Sequence, residues 1–175
     1  VLESLLTGEL DFLDGIVGIN RDDDLKRLWD VWVHLGKSAF APIMHLPHQD
    51  TELAYRQFTK EITALIAALE SFGGVKVTEE SLRQAIDIHN KMRGLLMKLY
   101  ELRKREVPPL SGAELLGITT TAMVMPKDQF NQELEALLPY LEGRKAPVKS
   151  FQPRLLVSSD TLDNPAYLAL IEEEG

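Results

Sequence analysis

The sequence contains no cysteine. Disulfides, thiolate nucleophiles, CxxC redox pairs and cysteine-ligated zinc or iron–sulfur sites built from this chain alone are therefore excluded. A site completed by another chain or by further sequence is not. Long apolar runs are missing too. No stretch approaches the roughly 18–20 residues that span a bilayer, and charge interrupts the helical phrases every three or four positions. Positive charge is scarce: 19 Lys and Arg stand against 27 Asp and Glu, a net charge of −8. No basic run exceeds Arg103-Lys104-Arg105. This balance argues against a nucleic-acid backbone and against an anionic membrane surface as partners.

What remains is the mix of an ordinary soluble globular protein, with 45% hydrophobic and 26% charged residues in 175. That length suits one domain or parts of two small ones. Val1-Leu2-Glu3-Ser4-Leu5-Leu6 reads as the interior of a helix, with no basic n-region of a secretory signal. Glu172-Glu173-Glu174-Gly175 reads as a helix closing on glycine. A fragment of a longer protein is the expectation.

Two strand-like phrases lie in the first fifty residues. Gly15-Ile16-Val17-Gly18-Ile19 is continuously apolar, as in a parallel strand buried on both faces. Phe40-Ala41-Pro42-Ile43-Met44-His45-Leu46 is the second, with Pro42 pointing to a strand start or sheet edge. Between them Leu25, Leu28, Trp29 and Trp32 are spaced as on a helix. The order strand, helix, strand is a βαβ unit, hence an α/β layer. The loop Asn20-Arg21-Asp22-Asp23-Asp24 sits at the first strand's carboxyl end, where open parallel sheets bind ligands.

From Thr51 to Glu142 the pattern is helical. Leu53, Phe58, Ile62, Leu65, Ile66, Leu69 and Phe72 form one stripe, with Asp50 as cap and Gly73-Gly74 as stop. Thr78 caps a second long helix carrying Leu82, Ala85, Ile86, Met92, Leu95, Leu96, Leu99 and Leu102, and the two predict an antiparallel hairpin. Ser111 with Glu114 is a capping box for a third helix. Pro126 and the stripe Phe130, Leu134, Leu137, Leu138, Leu141 give a fourth. Residues 143–153 read as a linker rich in Lys, Arg, Gly and Pro. After it Arg154-Leu155-Leu156-Val157-Ser158-Ser159 resembles a buried strand, and Pro165 suits the first position of a last helix. The expected organisation is thus the end of a first α/β domain (1–50), a helical segment (51–142), a linker (143–153) and the first strand and helix of a second α/β domain (154–175).

Candidate chemistry is sparse. Asp22-Asp23-Asp24 lacks the spacing and closing Glu of a calcium loop, and helix capping is the favoured reading. His45 and His48 point to opposite faces if strand alternation continues, which weighs against a metal pair, but both follow a strand end and suit a substrate pocket. His89, Asn90 and Arg93 put three polar groups inside the second helix; solvent exposure is the bland reading, but Asn90 borders the apolar stripe, where a buried amide would need partners, and a structural hydrogen-bond network is favoured over catalysis. The turn Ser158-Ser159-Asp160 is placed to meet an anion, without a GxGxxG or GxxxxGKS phosphate cradle. His45, His48, Ser158 and Ser159 are thus the substrate-pocket candidates.

Several phrases together resemble a known family. Leu82-Arg83-Gln84-Ala85-Ile86, Asn90-Lys91-Met92-Arg93, Tyr100-Glu101-Leu102-Arg103-Lys104 and Pro108-Pro109-Leu110-Ser111-Gly112-Ala113-Glu114 are similar to the helical segment of the 2-hydroxyacyl-CoA dehydratase / benzoyl-CoA reductase family. Arg154–Ser159 with Leu162-Asp163-Asn164-Pro165 resembles the start of its second α/β domain, and Gly8–Gly15 the run before its first cluster-side strand. The resemblance implies flavodoxin-like parallel-sheet domains and a cytoplasmic, oxygen-sensitive enzyme acting on an acyl-CoA substrate. It implies a paralogous second subunit, an ATP-dependent iron–sulfur activator and a [4Fe–4S] cluster. In that family an electron injected at low potential reaches the thioester, and either water leaves a 2-hydroxyacyl ketyl radical or an aromatic ring is reduced. Where the family commonly has Cys-Asp, this sequence has Asp22-Asp23, so Asp22 stands at the position of a cluster ligand. Carboxylate is a weaker, harder iron ligand than thiolate. Either the cluster is bound unusually, or the subunit has lost it and serves a catalytic paralogue as scaffold. His48 and the Ser111–Glu114 phrase lean toward the aromatic-ring reductases.

Overall fold

The computed structural model describes residues 1–36, 38–145, 154–159 and 162–174. The chain forms two compact units, Val1–Thr78 and Glu79–Gly175.

The first unit is a small α/β layer. Helix α1 (Leu2–Thr7) ends at Gly8, which adopts the left-handed conformation. Strand β1 (Gly18–Asn20), helix α2 (Asp23–His34) and strand β2 (Ile43–His45) then form the βαβ unit that the alternation of phrases predicts. The strands pair in parallel, Gly18 with Ile43, Ile19 with Met44 and Asn20 with His45, and a Gly15–Phe40 bridge lies upstream. Both strands are shorter than the apolar phrases that announce them. Val17 and Ile19 are exposed, so β1 is not covered on both faces. Cover comes from α2, whose Trp29 lies against Gly18 and donates from its indole N–H to Ala41 O at 3.2 Å. Trp32, fully buried, donates to Ser38 Oγ at 2.9 Å.

Helix α3 (Glu52–Gly73) packs on β2 and carries no fully buried residue. Its cap is Thr51, whose hydroxyl accepts from Ala54 N at 3.2 Å, and not Asp50. Thr51 holds the extended backbone that a capping residue needs, one position later in the chain. Phe72 leaves the stripe to stack on Phe40, with ring centroids 4.5 Å apart.

The second unit is helical: α4 (Glu79–Arg103), α5 (Gly112–Val124), α6 (Lys127–Gly143) and α7 (Pro165–Glu174). Its core joins Leu95, Leu99 and Leu102 of α4 to Phe130, Leu134, Leu138 and Leu141 of α6, with Leu110 and Ala122. Helix α3 belongs to the first unit and α4 to the second. Within its unit α4 packs mainly on α6 and also meets α5. Only the second half of α4 meets that core, and Leu82 and Ile86 in its first half are exposed. Of the two readings of Asn90, solvent exposure holds, and the buried amide of this unit is another residue. Asn90 is exposed and pairs with Arg93, whereas Asn131 on α6 is 3% exposed and donates to Ile88 O at 2.9 Å.

Residues 154–159 form no strand. Leu156 is 94% exposed, because a strand needs a paired neighbour and the described residues offer this phrase none. Asp160 and residues 146–153 of the expected linker lie outside the described residues. Pro165 opens α7 as expected, and Asn164 Oδ1 accepts from Ala166 N at 3.0 Å.

Candidate functional site

The carboxyl end of the parallel pair gathers most of the first unit's polar candidates. A parallel register sends Asn20 and His45 to the same face, and Asn20 Nδ2 lies 3.0 Å from His45 Nδ1. The main-chain N–H of His45 donates to Glu61 Oε2 at 3.1 Å, and Gln57 donates to Glu61 Oε1 at 3.0 Å. The His45 N–H is the main reason that the Glu61 carboxyl is held below its ordinary value; burial opposes it, and the Gln57 bond adds to it. Glu61 is therefore a carboxylate at neutral pH.

Asp22 stands in the loop after β1 with both oxygens engaged. Oδ1 accepts from Leu25 N at 2.9 Å, capping α2, and Oδ2 takes Arg21 Nε at 3.2 Å. Asp23 and Asp24 fill the first turn, where carboxylates oppose the positive end of the helix dipole. His48 does not join Asp22. It lines a depression of about 330 Å³ with Pro47, Gln49, Asp50, Tyr55 and Phe58, at the corner between β2 and α3. Ser158 and Ser159 belong to the other unit, on the exposed segment before α7.

The second unit has a larger hollow, about 480 Å³, between α5 and α6. Its walls are mostly Leu, Ile, Met and Phe, and its polar end is the Glu114–Arg144 pair at 2.8 Å. Burial pushes the Glu114 carboxyl up, but the Ser111 N–H, Arg144 and Arg103 together outweigh it, and the net shift is downward. Arg144 is raised in turn, chiefly by its bond to Glu114. Glu114 also completes the capping box, with Glu114 N on Ser111 Oγ at 3.0 Å and Ser111 N on Glu114 Oε2 at 2.9 Å.

Among the described residues, no three His, Cys, Asp or Glu side chains converge so as to hold a metal ion. The described side chains do not fit an iron–sulfur cluster: no thiolate exists, and the carboxylate of Asp22 is committed to a helix cap and a guanidinium. The contact that ties this loop to β2 is between Asn20 and His45. Asn20 and Glu61 are not legible as neighbours of His45 in the sequence, since only the register and the packing of α3 bring them there. Asn20's place at the end of an apolar strand phrase was the available signal.

A parallel βαβ layer followed by a helical bundle is a mixed α/β architecture with its polar groups at the strands' carboxyl end. The chain belongs to the 2-hydroxyglutaryl-CoA dehydratase, D-component family, whose profile matches residues 1–175. It is 26% identical over 138 residues to a subunit of the benzoyl-CoA reductase of Thauera aromatica, covering 78% of this chain and 36% of that protein. It is 27% identical over 176 residues to the beta subunit of (R)-2-hydroxyglutaryl-CoA dehydratase of Acidaminococcus fermentans, covering 98% of this chain and 46% of that one. The beta subunit of (R)-phenyllactyl-CoA dehydratase of Clostridium sporogenes is 24% identical over 177 residues, with 99% and 46% covered. The chain spans less than half the length of these relatives. No described helix is long and apolar enough to cross a membrane.

Proposed function

We propose that this chain is part of one subunit of a cytoplasmic enzyme that dehydrates or reduces an acyl-CoA thioester. The carrying observation is the family match over residues 1–175. The relatives are named for a benzoyl, a 2-hydroxyglutaryl and a phenyllactyl thioester, which share the thioester and differ in the acyl group. A paralogous second subunit and an ATP-dependent iron–sulfur activator are the proposed partners. Relatives named as subunits support the first of these.

On this reading the carboxyl end of β1 and β2, with His45 and His48, faces the substrate, and residues 154–175 open a second α/β domain whose first strand finds its neighbours outside this segment. Any [4Fe–4S] cluster takes its ligands from outside this segment, because Asp22 is occupied as a cap. The same occupation favours a second reading, a cluster-free subunit that supports a catalytic paralogue.

The full-length subunit, purified without oxygen together with its partner, decides between them. Iron and acid-labile sulfide assigned to this subunit, with activator- and ATP-dependent turnover of benzoyl-CoA or an (R)-2-hydroxyacyl-CoA, support the catalytic reading. An iron-free subunit in an active complex leaves the scaffold. A complex inert toward every thioester overturns both.

A further inference from the structure

The contact between Asn20 and His45 has a chemical direction. An amide nitrogen carries donors only, so the imidazole nitrogen 3.0 Å from Asn20 Nδ2 must present a lone pair. The bond made by one ring nitrogen sets the state of the other. With Nδ1 accepting, Nε2 is the ring nitrogen that carries the proton. His45 is exposed and closes β2, so its ring stands at the carboxyl end of the sheet, where open parallel sheets bind ligands. Its main chain is pinned as well, by Glu61 from α3. The residue is thus held from two sides, by β1 through the ring and by α3 through the backbone.

A fixed N–H of this kind discriminates among ligands. It donates and cannot accept, so it selects an oxygen acceptor. The ionised Glu61 beside it opposes a second negative charge, which leaves an uncharged carbonyl as the fitting group. We propose that Asn20 is a positioning residue that fixes His45 as the Nε2–H tautomer, so that His45 donates a hydrogen bond to an uncharged carbonyl oxygen of the bound ligand. That this carbonyl is the thioester's rests on the function proposed above.

Two measurements on the full-length subunit test it. With selectively 15N-labelled histidine, long-range proton–nitrogen correlations report which ring nitrogen of His45 is protonated. The native protein should show Nε2–H alone. Asn20→Asp replaces the donor by an acceptor and should move a proton to Nδ1, and Asn20→Leu should give a mixture. A native His45 protonated on Nδ1 overturns the assignment.

The second measurement is turnover in the complete complex with partner, activator and ATP. Asn20→Leu and His45→Ala should raise KM for the thioester five- to fifty-fold. His45→Gln, whose amide can donate from near the Nε2 position, should recover most of that loss. Tautomers that change as expected while KM stays constant in all three variants overturn the ligand role. A native complex inert toward thioesters removes the acyl-CoA reading, and the tautomer measurement then decides the Asn20–His45 assignment alone.

Discussion

Gly18 lies directly beneath the indole of Trp29. A Cβ built on Gly18 would overlap Trp29 Cδ1 and sit 2.9 Å from Cγ. The strand and α2 approach this closely only because the residue between them has no side chain. Gly18→Ala must push the indole away and break its bond to Ala41 O. A loss of about 2–3 kcal/mol is expected, as for overpacking in a filled core. Urea unfolding followed by tryptophan fluorescence measures it, and an unchanged midpoint would show that the helix can shift freely.

Asp22 separates two roles that a single substitution can tell apart. Asn is as good a capping residue as Asp, whereas Ala removes the cap at a cost of about 1 kcal/mol. Asp22→Asn should therefore keep native stability and Asp22→Ala should lose it, both with the iron content of the complex unchanged. Loss of iron in the stable Asp22→Asn protein would instead make Asp22 a ligand.

Glu114 binds its proton less readily in the folded protein than in the unfolded chain. Its ionised form therefore adds stability at pH values above the ordinary carboxylate range. That contribution is lost as pH falls through the depressed folded value. The difference in unfolding midpoint between native protein and Glu114→Gln should be full at pH 7 and shrink steadily below about pH 4. A difference independent of pH would place the effect in packing rather than charge.

Asn131 is buried, and among the described residues its Oδ1 has no partner, although Nδ2 is satisfied by Ile88 O. An orphaned buried acceptor costs about 1–3 kcal/mol. Asn131→Leu, close in volume, should be within about 1 kcal/mol of native or more stable. Asn131→Asp places a charge between α4 and α6 and should cost about 3 kcal/mol or more. Denaturation of the two variants side by side provides the check.

Glu172 ties α7 to the start of α5. Its oxygens accept from Gly112 N at 2.6 Å and Ala113 N at 3.3 Å, and Arg103 lies 3.6 Å away. Glu172→Ala should cost about 1–2 kcal/mol, the scale of a lost helix cap. Hydrogen exchange at the Gly112 and Ala113 amides should quicken first, and quicken less in Glu172→Gln, which keeps one acceptor.

Local pattern carried much of the fold. Apolar spacing located the helices, the strand–helix–strand order set the parallel pairing, and Ser111 with Glu114 announced a capping box that formed in both directions. These signals act between residues a few positions apart, so a linear reading can see them. Membership in the family was legible as well, because its phrases occur in order along the chain.

Tertiary structure decided the rest. Asn90 and Asn131 are equally polar in the sequence, and only the packing of α6 on α4 buries one and exposes the other. Arg154–Ser159 has the composition of a strand, but strand formation needs a hydrogen-bonding neighbour, which composition cannot supply. Asn20 and His45 are 25 residues apart, and the parallel register makes them partners. The sequence by itself determined where the helices and the parallel strand pair lie and which family the chain belongs to. The three-dimensional arrangement determined which polar groups meet, because a hydrogen bond depends on distance in space and carries no trace of itself along the chain.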